Sequence, residues 1–212
     1  SGAIAASVYA RLQSEGCCVN RVLLIGPSHR VGFQGVAVST ADQFATPFGN
    51  VSIDKQAIEQ IVELPFVNYL EQAHKWEHSL EVQLPFLQIV LNEFTLIPVV
   101  TGDASVEQIC QLIDMFWDSP ETLIVISSDL SHFENYQTAK QCDEQTTKLI
   151  EQLQYEKLTD GSACGRVAIS GLLALARKKN CQVKTVDLRN SGDTAGYNNK
   201  ERVVGYGAYV ID

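Results

Sequence analysis

Residues 22–29, VLLIGPSH, and residues 123–132, LIVISSDLSH, carry the reading of the fold. In the first, the apolar run Val22-Leu23-Leu24-Ile25 stops at Gly26-Pro27 and delivers Ser28 and His29 beyond it. In the second, Leu123-Ile124-Val125-Ile126 stops at Ser127-Ser128 and delivers Asp129 and His132. A short apolar run without polar alternation is a strand buried on both faces, as in a sheet covered by helices. Outward from these two, strands are expected over 21–26, 35–39, 94–100, 122–127, 182–188 and 202–211. Helices are expected over 3–15 (ended by Gly16), 53–63, 79–92, 105–117, 136–152 and 165–179. Asp54 stands where a carboxylate suits the helix dipole. Pro85 makes the helix over 79–92 kink or start late. Strands separated by helices indicate a single-domain α/β sandwich with a mixed, largely parallel central sheet.

The 212 residues fit one large domain, and 45% hydrophobic against 19% charged residues is a globular balance. The formal charge is −9, and the Lys and Arg residues are scattered, so the basic stripe of a nucleic-acid groove is missing. No apolar stretch approaches the ~18 residues of a membrane span. Nothing resembles a secretory signal, which makes the cytoplasm the expected location. The six cysteines (17, 18, 110, 142, 164, 181) form no CxxC, and most are read as buried small hydrophobes.

In open α/β sheets, ligands gather beyond the carboxyl ends of the strands. If the two quoted strands are neighbours, His29 and His132 face one crevice. The plainer reading for either alone is a loop residue with satisfied hydrogen bonds; the repeated ending weighs against it. In KWEHSLEVQLPF (75–86) Glu77, His78 and Glu81 are spaced so that the two carboxylates share a helix face with the imidazole nearby. That set suits a ligand oriented by an acid, or an acid/base pair; the alternative is a solvated helix start. His74 is read as a surface residue. Cys164 precedes an apolar helix whose free N–H groups favour thiolate, making it a metal ligand, a nucleophile or a buried cap. Ser191, Gly192 and Asp193 close the crevice or simply make a turn. Imidazole with thiolate suits iron, copper or zinc rather than magnesium or calcium.

Taken in order, GPSH, EHSLEVQLPF, FTLIPVV, SSDLSHF and ACGR resemble the Memo family, named for a mediator of cell motility in animals and with many bacterial and archaeal relatives. The resemblance runs from Ser1 to Asp212. It implies a fold similar to LigB-type class III extradiol dioxygenases, which cleave catechol rings with non-haem Fe(II). It also implies His29 and Cys164 as metal ligands, with His132, His78, Glu81 and Asp129 as catalytic groups. Ser28, Glu77, Arg30 and Arg166 stand beside them as ligand-binding residues. In that family a first histidine belongs to a Pro-His-Ala-Gly-Tyr motif, followed closely by a Ser-Gly pair and a helix rich in small residues. This sequence starts at such a pair, so the resemblance implies that the first strand and its histidine lie outside it. Iron(II) or copper, and less readily zinc, is then expected to bind weakly or not at all.

Three functional expectations follow. One is a metal-dependent oxidoreductase with His132 or His78 as base; Cys164 in place of a carboxylate departs from the dioxygenase pattern and brings catechol cleavage into question. The second is a module binding a peptide, as the resemblance implies for phosphorylated peptides, with Arg30 and Arg166 as phosphate partners. The third is a thiol hydrolase with Cys164 as nucleophile, weakened by the absence of an oxyanion motif. The expected ligand is thus a small molecule or a peptide, with neither nucleic acid nor membrane as partner.

Overall fold

Val22, Leu23, Leu24 and Ile25 are fully buried in the computed structural model, which describes residues 1–14, 18–91, 93–194 and 200–212. Around them the chain lays down helix α1 (Gly2–Ser14), strands β1 (Arg21–Pro27) and β2 (Val36–Val38), a hairpin of β3 (Gln43–Thr46) and β4 (Gly49–Ser52), and helix α2 (Lys55–Ile61). Strand β5 (Val67–Tyr69), helix α3 (Glu71–Lys75), a 3-10 turn (Glu81–Gln83), helix α4 (Leu84–Val90), strand β6 (Thr95–Thr101) and helix α5 (Val106–Trp117) follow. Then come β7 (Thr122–Ile126), β8 (His132–Glu134), α6 (Tyr136–Glu151), a second 3-10 turn (Tyr155–Lys157), α7 (Arg166–Lys178), β9 (Val183–Asn190), α8 (Ser191–Thr194) and β10 (Val203–Ile211).

The central sheet has the order β5-β2-β6-β1-β7. β1 is parallel to both β6 and β7, β2 is parallel to β5, and only the β2–β6 pair is antiparallel. The expected α/β class with a mixed, mostly parallel sheet is therefore what forms. β9 and β10 lie outside that sheet and join β8 in a separate antiparallel one, ordered β8-β10-β9. Helix starts are set by their caps. Asp54 accepts the N–H of Ala57 and is held by Arg21 at 2.8 Å. Ser105 and Gln108 form a reciprocal capping box on α5. Among the described residues, no helix is long and apolar enough to cross a membrane.

Several expectations change. The helix foreseen over 79–92 is a 3-10 turn followed by α4, with Pro85 in the first turn of α4, where its missing N–H costs nothing. Gly16 and Asn92, foreseen at helix ends, lie outside the described residues. The β3–β4 hairpin, β5 and α3 are additions; each is short and mostly polar, and so carries little periodicity. The cysteines are also less buried than expected: Cys110 is buried, Cys142, Cys164 and Cys181 are half-buried, Cys18 is exposed, and Cys17 lies outside the described residues. His74 is not a surface residue. Its Nε2 stands 3.2 Å from the Ala37 carbonyl, its ring edge meets Phe44, and burial lowers its basicity.

Candidate functional site

The two quoted strands are neighbours. β1 and β7 pair in parallel from Arg21↔Thr122 to Ile25↔Ile126, so both polar endings emerge at the same end of the sheet. Ser28 is absorbed by the turn itself, donating through Oγ to the Val31 carbonyl at 2.7 Å. His29 projects next. Its Nδ1 lies 2.8 Å from Glu77 Oε1, and its backbone N–H donates to Glu77 Oε2 at 2.6 Å. With Glu77 ionised, Nδ1 carries the proton and Nε2 is left as the free acceptor.

Glu77 explains why the segment around it is not helical. Its Oε1 also accepts the backbone N–H groups of His78 (2.9 Å) and Ser79 (3.0 Å), so the carboxylate captures the donors a helix would use. The side chain is only 4% exposed. Burial alone would raise its carboxyl, but the bonds from His29 and Ser79 outweigh that and hold it below the ordinary carboxylate range. Glu77 and Glu81 consequently share no helix face, contrary to the spacing argument. Glu81 is exposed and pairs with His78 Nδ1 at 2.7 Å. The segment is held to β1 by Ser79, whose Oγ donates to the Pro27 carbonyl at 2.9 Å. Gly26 makes this approach possible, since a Cβ there would stand 2.7 Å from Ser79 Oγ.

From β7 the chain passes through Ser127 and Ser128 to Asp129. The Asp129 backbone N–H donates to Cys164 Sγ at 3.2 Å, and Ser128 Oγ lies 3.6 Å from the same sulfur. Ser128 Oγ in turn accepts the N–H of Gly165, the residue that caps α7. Cys164 therefore sits where a helix start and a strand end meet, with a peptide N–H aimed at its sulfur. The Asp129 carboxyl is pushed up by burial, against the opposing pull of His132, the Ser1 amine and His29.

His29, Arg30, Glu77, His78, Asp129 and Cys164 line the rim of one cavity of about 970 Å³. His132 is not brought to its wall. It pairs with Val204 in the small sheet, and Phe133 beyond it takes a left-handed backbone (φ 61°), which turns the ring outward. Its Nε2 remains 3.9 Å from Asp129 Oδ2. Arg166 is engaged elsewhere, by Asp160 at 2.7 Å. Ser191, Gly192 and Asp193 fall in α8 (Ser191–Thr194), where Asp193 accepts from the Tyr136 hydroxyl; residues 195–199 lie outside the described residues. Sequence reasoning overlooked Gln83, which receives the Tyr9 hydroxyl at 3.0 Å and donates to Ser127 Oγ at 2.9 Å, tying α1 to the end of β7. No motif marked it, because its partners come from elements far apart in sequence.

This set of residues at adjacent parallel strand ends can be placed among known proteins. A family model described as Memo-like protein matches residues 1–210. The chain belongs to the Memo family. A MEMO1 family protein of Aquifex aeolicus (strain VF5) is 35% identical over 207 residues, covering 92% of this chain and 76% of that protein. One of Saccharolobus solfataricus is 32% identical over 221 residues (97% and 76%), and one of Saccharolobus islandicus (strain M.14.25) is 34% identical over 220 residues, with the same coverage. Within this Memo-family chain, the described residues contain no group of three or more His, Cys, Asp and Glu placed to hold a metal ion together.

Proposed function

We propose that the rim formed by His29, Glu77, Asp129 and Cys164 is a modified non-haem metal site and that its chemistry is that of a metal-dependent oxidoreductase related to extradiol dioxygenases. The observation that carries the reading is the bond between His29 Nδ1 and the buried Glu77. A carboxylate that fixes the ring and leaves Nε2 free is the arrangement metal-ligating histidines use. Cys164 Sγ, with the Asp129 N–H aimed at it, is the second donor. An imidazole and a thiolate suit iron(II), copper or zinc in a site with open positions, and the resemblance to extradiol dioxygenases puts iron(II) or copper first. A bound metal would supply Lewis acidity at those positions.

The donors fit such an ion incompletely, since two side chains hold it less well than three, and weak binding is part of the proposal. The protein's own groups do the rest. Glu77 keeps the His29 ring oriented. Asp129, raised by burial and beside His132, can hold a proton at its carboxylate oxygen and exchange it with the imidazole. His78, paired with Glu81, stands on the same rim as a second proton carrier. The peptide-binding reading has less support, because the Asp160 carboxylate already occupies Arg166.

Anaerobic calorimetric titration with Fe(II), Cu(II) and Zn(II) tests this. Weak binding, reduced about tenfold or more in His29→Gln and Cys164→Ser, is expected, on the scale that outer-sphere partners command. Binding unaffected by both substitutions would remove the proposal, as would tight binding of a phosphotyrosine peptide with no metal response.

A further inference from the structure

An aspartate stands where a helix least favours one. Asp143 lies well inside α6, on the face that Ala139, Thr146, Thr147 and Ile150 turn to the interior, and is only 3% exposed. Aspartate is a poor residue for a helix interior, because its short carboxylate competes for nearby backbone donors. Burying that carboxylate is unfavourable unless hydrogen bonds replace the lost water. Alanine, threonine and isoleucine serve the rest of the face, so packing alone does not call for an acid there.

The bond it makes lies outside its helix. Asp143 Oδ1 accepts the backbone N–H of Ser131, in the loop that follows β7, at 3.0 Å. Burial pushes the carboxyl up, against the Ser131 N–H and the pull of His132. The other side of the carboxyl rests on Gly205 of β10, where a Cβ would stand 2.0 Å from Oδ2 and 2.5 Å from Cγ. Gly205 itself holds the same loop, donating to the Ser131 carbonyl at 2.8 Å and accepting the Leu130 N–H at 2.9 Å. Asp143 and Gly205 therefore form one clamp on residues 130 and 131.

One residue before the clamp is Asp129, whose backbone brackets Cys164. Its N–H donates to the sulfur at 3.2 Å, and its carbonyl accepts the Cys164 N–H at 3.2 Å. The start of the loop is fixed by Ser127, whose N–H donates to the Ile25 carbonyl and whose Oγ accepts from Gln83. Residues 128 and 129 thus hang between two anchors, one at β1 and one at Asp143. A peptide N–H favours a thiolate only while its distance and direction hold.

We propose that Asp143 is a positioning residue for the candidate site: by holding the Ser131 N–H against Gly205, it keeps the Asp129 backbone in place beside the Cys164 sulfur. Asp143 does not line the cavity and acts through the loop alone. That the sulfur is a metal donor rests on the function proposed above; the positioning stands without it. A carboxylate that merely packed α6 onto β10 would leave the Asp129 backbone unmoved when removed, and that difference is what the experiment reads.

The test is NMR with hydrogen exchange on the protein without metal. In Asp143→Ala the Asp129 amide proton is expected to move upfield and to exchange about tenfold faster, the loss of one hydrogen bond of ordinary strength. Gly205→Ala keeps the carboxyl but drives it off Ser131, so it should produce the same change, and it decides the matter if Asp143→Ala does not fold. Asp143→Asn retains an oxygen for the Ser131 N–H and should restore the wild-type amide. Ile150→Ala, two turns along α6, weakens the same helix where it packs on Leu158, Leu173 and Val183, and should leave the Asp129 amide in place. With Fe(II) added, Asp143→Ala should bind about tenfold more weakly than Asp143→Asn. A wild-type protein that binds no metal would count against the metal reading and leave the amide result to decide the positioning. An Asp129 amide unmoved in both Asp143→Ala and Gly205→Ala, unrestored in Asp143→Asn, or moved as far by Ile150→Ala would overturn the role of Asp143.

Discussion

At the scale of single residues, Glu77 has the largest foreseeable effect. Its carboxylate accepts from three backbone N–H groups and one imidazole, in a setting nearly closed to water. Glu77→Gln keeps the shape but turns an amide NH₂ toward donors that need an acceptor, and should cost about 1–3 kcal/mol at pH 7. The pH dependence has a definite sign. A carboxyl held below its ordinary value in the folded state contributes stability that is complete above the unfolded value, near 4.5, and is lost as pH falls through the folded value. The gap between wild type and Glu77→Gln in urea denaturation should therefore be widest at pH 7 and shrink as pH falls below 4.5; a gap that does not shrink would refute the role. This residue also marks what sequence spacing missed. Glu77 and Glu81 at i and i+4 suggested one helix face, but a carboxylate able to bond its own following N–H groups competes with the helix and won. His132 shows a second limit of the motif: it located the residue near Asp129, while the pairing with Val204 sets its backbone in the small sheet.

At the scale of elements, the strands and helices with strong periodicity were legible. β1, β6, β7, α5, α6 and α7 fall where apolar runs and 3.6-residue patterns put them, and Asp54 caps α2 near the helix start foreseen for it. The β3–β4 hairpin and β5 were not legible, because strands of three or four residues with exposed alternate positions fix no pattern. The placement of the candidate site depends on one close approach that no periodicity reveals, the loop of Ser79 lying across Gly26. A methyl group at Gly26 would stand 2.7 Å from Ser79 Oγ and 2.9 Å from Leu80 Cδ2, and Leu80 is buried in the core. The loop must shift, and the bond from Ser79 to the Pro27 carbonyl with it. Gly26→Ala is expected to destabilise by about 1–3 kcal/mol and to loosen the His29–Glu77 bond, read as a change in the NMR chemical shift of the His29 Nδ1 proton. An unchanged shift in a destabilised variant would separate the packing from the site.

At the scale of the whole molecule, the apolar interior is divided. The main core runs through β1, β2, β6 and the helices against them, with Leu23, Leu24, Leu96 and Ile97 fully buried. A satellite of Ile150, Leu158, Leu173 and Val183 lies under α6, α7 and β9, and the partly buried Tyr155 packs against both. The cavity lies between the small sheet and the edge of the large one, and α7, which gives Ala174 and Leu175 to the main core and Leu173 to the satellite, is the helix that joins them. Unfolding should follow that division. Leu23→Ala removes a fully enclosed side chain from the main core and is expected to cost about 2–5 kcal/mol globally, lowering the exchange protection of every slow amide alike. Leu158→Ala should instead speed exchange in β9, β10 and the end of α6 while leaving the amides of Leu24 and Ile97 near their wild-type rates. Native-state exchange at low denaturant distinguishes the cases. If Leu158→Ala lowers protection in β1 and β6 as much as in β9, the two regions fold as one unit and the cavity is no boundary.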